Sequence, residues 1–95
     1  MPASTRPHVT VSISTVQTLA DMGFTASQIA GAFRAWVTGH DGDLVYLLNG
    51  EVPTTQDGHI FNSEITNQIN EQVPNLQLVA QSSTVTTTVE LETYG

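Results

Sequence analysis

His8, His40 and His59 are the residues of this chain best suited to hold a metal or move a proton. None has the paired spacing to Asp or Glu that a zinc site needs, so each reads as a solvated loop side chain. Serine and aspartate are also present, but there is no Gly-x-Ser-x-Gly elbow, and a chain of 95 residues could barely scaffold a catalytic triad. No glycine-rich phosphate loop occurs. The absence of cysteine removes thiol nucleophiles, thiolate-bound zinc and disulfides, and leaves the compartment open. The expectation is a protein that catalyses nothing and carries no metal and no cofactor.

Charge narrows the partners. Arg6 and Arg34 are the only cations against nine acidic residues, a net charge of -7 that repels a phosphate backbone and argues against nucleic acid. Charged residues make up 12% of the chain, well below the roughly 25% usual for soluble domains, and Ser, Thr, Asn and Gln supply the polarity instead. No run of 18 apolar residues and no basic-then-apolar leader is found, so the expectation is a soluble, unexported chain with no membrane contact. The length allows one small domain with an appendage.

The elements that would position any site read as mainly α. Residues 1–12, with two prolines and little periodicity, suit a flexible leader. Ser14-Thr-Val-Gln17 is a capping box before Val16, Leu19 and Ala20, and Gly23 is placed to end that helix. A second box, Thr25-Ala-Ser-Gln28, opens a longer helix with Ile29, Ala32, Phe33, Trp36 and Val37 on one face and Gly39 as its stop. Trp36 is expected in the core. Asp41 can cap a third helix carrying Leu44, Leu47 and Leu48, closed by Gly50 and Pro53. Three short helices must share one core over residues 13–53, because none is stable alone.

Residues 54–95 then read as a linker and an extension. Thr54-Thr-Gln-Asp-Gly58 is turn-rich, and Asn62 can cap a helix over about 63–72 that Pro74 stops. Leu76-Gln-Leu-Val-Ala80 and Val85-Thr-Thr-Thr-Val-Glu-Leu91 alternate with period two, as two strands joined through Gln81-Ser-Ser83. A hairpin alone is marginal in water. These strands pack on the helices or pair with another chain.

The segment Val16-Gln-Thr-Leu-Ala-Asp-Met-Gly-Phe24, with Ala32-Phe33 and Leu44-Val-Tyr-Leu-Leu-Asn-Gly50 at matching distances, resembles a ubiquitin-associated (UBA) domain. The resemblance covers roughly 40 residues. It departs at Asp43, where the family usually has alanine, and at Gly42 beside it. The resemblance implies a compact three-helix bundle that binds ubiquitin or polyubiquitin through Met22, Gly23, Phe24, Val45 and Leu48, with Asp21, Asp43 and Glu51 facing the basic rim of the partner. It also implies a cytoplasmic or nuclear setting, in which a chain without lysine offers no side-chain acceptor to ubiquitin-transfer enzymes. Val45 either extends that surface or is covered by the carboxy-terminal segment. The alternative is a UBA-like assembly element that dimerises, by self-association through the C-terminal segment, without binding ubiquitin.

Overall fold

Val85-Thr-Thr-Thr-Val-Glu-Leu91 alternates β-branched and polar residues, and it lies within the longest element of the molecule, a strand over Val85–Tyr94. The computed structural model describes residues 4–48, 53, 58–81 and 83–94. In chain order these form β1 (Ser4–Thr5), β2 (His8–Ile13), β3 (Gln17–Thr18), α1 (Ala26–Gly31), β4 (Ala32–Gly39), β5 (Leu44–Leu47), β6 (His59–Phe61), β7 (Thr66–Ile69), a 3-10 turn (Val73–Asn75), β8 (Gln77–Ala80) and β9, the Val85–Tyr94 strand.

Two antiparallel sheets result. One has the order β2-β9-β4-β7, with β1 also lying along β9. The other has the order β3-β8-β5-β6. Counted from β2, the strands follow the order 1-8-3-6 in one sheet and 2-7-4-5 in the other, which is the double-sheet jelly roll. Between the sheets Ile13, Leu19, Val37, Leu44, Leu76, Leu78, Val85, Val89 and Leu91 are essentially fully buried. Each such side chain contributes about 1.5–3 kcal/mol relative to exposure.

The three-helix UBA-type bundle is therefore corrected to a β-sandwich. Of the expected helices only the second begins where its signals say, and the Thr25–Gln28 box forms in full. That helix ends at Gly31. From Ala32 the residues Phe33, Trp36, Val37 and Thr38 favour a pleated strand, and Ala35, Val37 and Gly39 alternate into the core. Ser14 and Thr15 form a bend, and Gln17 enters β3 instead of the first helix.

Asp41 caps no helix either. Its carboxylate accepts the backbone N–H of Thr86 at 2.7 Å, and Asp43 accepts that of Ser63 at 2.7 Å, so both tie loops between strands. Leu44–Leu47 is β5, and Thr66–Ile69 replaces the helix expected over 63–72.

The two expected C-terminal strands form, but not as a hairpin: β8 and β9 belong to different sheets. Residues 8–12 of the expected leader, together with Ile13, pair along their whole length with β9. Gly50, Glu51, residues 54–57 and Ser82 of the expected features lie outside the described residues.

Candidate functional site

Strand alternation sends every second residue of the larger sheet outward, and the register gathers those residues into rows. One row is His8, Glu90, Trp36 and Gln68; the next is four threonines, Thr10, Thr88, Thr38 and Thr66. Thr10 and Thr88 hydroxyls lie 3.0 Å apart, and those of Thr38 and Thr66 lie 2.8 Å apart. His40 Nε2 sits 2.7 Å from the Thr88 hydroxyl, and the backbone N–H of His40 donates to Thr86 O. The inward partners of these rows are Val9, Val89 and Val37, and Leu91, Ala35 and Ile69. Core demand on one face thus fixes which side chains stand on the other.

Trp36 is the one aromatic residue of these outward rows and is half-buried. Both cations of the chain converge on it: the Arg6 guanidinium lies 4.8 Å from the ring centroid and that of Arg34 lies 5.9 Å away. Each is matched by acid. Arg34 donates to Glu92 at 3.0 Å, while Arg6 reaches Glu92 at 3.6 Å and Glu90 at 3.8 Å. Among the described residues Arg34 Nε is the one buried side-chain polar atom without a hydrogen-bond partner.

Arg6, Trp36, Thr38, Thr66, Thr88 and Glu90 together line a shallow depression of about 350 Å³. Such a volume fits a small ligand, and this lining offers one aromatic surface ringed by hydroxyl, guanidinium and carboxylate groups. No group of three or more His, Cys, Asp or Glu side chains among the described residues could hold a metal. A second hollow of about 310 Å³ is lined by Tyr46, Leu48, Gln68, Ile69, Asn70 and Glu71. One face of its aromatic ring is occupied, because Tyr46 stacks on Phe61 with ring centroids 3.9 Å apart.

The residues expected to bind ubiquitin lie apart from both arrangements or only border them. Met22 and Phe24 are 4% and 5% exposed and point into the core from a turn closed by bonds from Met22 N to Thr18 O and from Phe24 N to Leu19 O. Of the Met-Gly-Phe tripeptide only Gly23 is exposed, with φ of 110°. Val45 is 2% exposed and is flanked within its sheet by Ile60 of β6 and Val79 of β8. Leu48 is half-buried at the second hollow. The five do not form one apolar surface patch.

No family model, curated protein or solved structure matches this chain. The UBA assignment is thereby withdrawn, since that family is helical and the chain here is a jelly roll. The Met-Gly-Phe loop and its flanking blocks have the spacing of the family without its secondary structure. Trp36, expected in the core, instead stands on the outward face. A period-two reading of Arg34-x-Trp36-x-Thr38 against Ala35-x-Val37-x-Gly39 would have placed it there. No helix among the described residues is long and apolar enough to cross a membrane, which leaves strand-based crossing unaddressed.

Proposed function

We propose that this jelly roll is a non-catalytic binding module that holds a neutral saccharide on the outward face of its larger sheet, with Trp36 as the stacking surface. The observation that carries the reading is the setting of Trp36 in a depression otherwise lined by hydroxyl and charged groups. A sugar ring has an apolar C–H face and a rim of hydroxyls. The indole accommodates the first, and Thr38, Thr66, Thr88 and Glu90 can exchange hydrogen bonds with the second.

Neutrality follows from the charge balance. Both guanidiniums are engaged by Glu90 and Glu92, and the molecule carries -7, so an anionic ligand gains little field here. Arg6 is the movable cover of the site. Its side chain is 56% exposed and its ion pairs are long, and exposed pairs contribute only about 0–1 kcal/mol, so a sugar can displace it at small cost. The small contact sets the affinity between roughly micromolar and millimolar. Ubiquitin recognition, by contrast, has no geometric support, because three of its five expected contacts are buried.

Trp36 is the only tryptophan, so its fluorescence reports this site directly. Titration with a panel of neutral oligosaccharides should shift its emission for at least one member, with calorimetry giving the matching affinity. Trp36→Ala should abolish that heat while leaving the fold intact, and added ubiquitin should change nothing. Absence of binding across the panel, or full binding by Trp36→Ala, would overturn the saccharide reading.

A further inference from the structure

Among the described residues the longest open edge of either sheet is β2, six residues long, against two in β3, three in β6 and four in β7. The direction of its backbone groups is fixed by one bond. Leu91 N donates to Pro7 O at 2.9 Å, and residue 7 faces residue 91 in the same register that pairs His8 with Glu90. Hydrogen-bonded pairs alternate along an antiparallel ladder, so Val9, Val11 and Ile13 bond to β9. His8, Thr10 and Ser12 therefore turn their N–H and C=O groups away from the sheet. Of these, Ser12 O accepts a long bond of 3.4 Å from the Gln17 side chain.

Natural sheets blunt such edges with lysine, proline, bulges or inward charges. Within His8–Ile13 there is no Lys, Arg, Asp, Glu or Pro, and the six-pair register with β9 has no break. The strand is also complementary to itself. An antiparallel copy centred on Thr10 sets Thr10 opposite Thr10 and His8 opposite Ser12, so all three outward-bonding residues of each copy find partners. The same register sets Val9 opposite Val11 on the inner side. Both are only half-buried in one molecule, although they pack on the core, and a second copy would cover their exposed flank.

We infer that β2 is a homodimer edge, on which a second copy of this chain adds its own β2 antiparallel about Thr10. The two four-stranded sheets then become one continuous sheet, and the threonine row runs on across the two-fold axis. The interface is narrow, so association is weak and concentration-dependent.

Sedimentation equilibrium over a range of concentrations tests this on the full chain. The wild type should shift from monomer to dimer as concentration rises, with amide exchange slowed at His8, Thr10 and Ser12. Thr10→Pro removes an N–H that faces away from β9 and should yield a folded monomer by circular dichroism. Should that variant fail to fold, Thr10→Lys keeps the backbone donors, places like charges opposite each other at the axis, and should weaken association at least tenfold. A wild type that stays monomeric at every soluble concentration overturns the inference. So does a dimer that persists undiminished in Thr10→Lys or in a folded Thr10→Pro variant.

Discussion

At the scale of single residues, Met22 and Gly58 show how far local sequence and final role can diverge. Met22 precedes a glycine in a polar turn and looks like a surface anchor, yet it fills the space between the sheets. Met22→Ala should cost about 2–5 kcal/mol and Phe24→Ala about 3–5 kcal/mol, read as a fall in the chemical denaturation midpoint. Exposed residues on which a surface patch depended would have lost far less. Gly58 adopts φ of 144°, and a Cβ there would lie 2.6 Å from Val45 Cγ1 and 3.0 Å from Tyr46 O. Gly58→Ala should therefore destabilise by about 1–3 kcal/mol through backbone strain, with crowding added. Gly23→Ala gives a contrast, since nothing lies within 4 Å of its added Cβ and only the strained φ of 110° is felt. Trp36→Ala belongs to the other class, with a large effect on binding and a small one on stability.

At the scale of elements, the Thr25 box was legible because a cap is local chemistry: two side chains satisfy two backbone donors three residues apart. Thr25→Ala should cost about 0.5–2 kcal/mol, since it leaves one of those donors unmet. The body of the expected helix was not legible. Residues 29–37 satisfy a helical spacing at Ile29, Ala32, Phe33 and Trp36, and a strand spacing at Ala35 and Val37. Short apolar runs fit both periods, and β9 and β7 on either side of β4 decided between them. Leu44–Leu47 is the same case, with β6 and β8 as its neighbours. The Val85–Leu91 part of β9 could be read directly because its alternation has no competing helical pattern, whereas the strand itself runs on to Tyr94. Its partners could not be read, as nothing local tells a strand whether its neighbour comes next in the chain or 78 positions earlier, as Thr10 does for Thr88.

At the scale of the whole molecule, that separation governs how the chain folds. The central strand β9 pairs with β1 and β2 from the beginning of the described chain and with β4 from its middle, so most stabilising contacts close long loops. Folding dominated by such contacts runs on the scale of about milliseconds to seconds, and stopped-flow refolding should fall in that range rather than in the microseconds of a helical bundle. Deleting residues 85–95 should abolish cooperative unfolding altogether, because both β2 and β4 lose their partner. The candidate saccharide site emerges only at this scale. Arg6, Trp36, Thr66 and Glu90 come from four separate stretches, and no spacing rule joins them. If β2 pairs with its copy, the axis stands perpendicular to the sheet and both Trp36 depressions face the same way, which favours bivalent attachment to a repeating surface.

The pairing of Ser4 with Tyr94 and of Thr5 with Thr93 has a mechanical side. Tension applied through Ser4 and Tyr94 loads the β1–β9 and β2–β9 ladders from one end, so their bonds yield in sequence, as a zipper does, and never share the load in shear. A molecule tethered at those two points would open under modest pulling from Tyr94 back toward Val85, stripping away the strand that holds the larger sheet together.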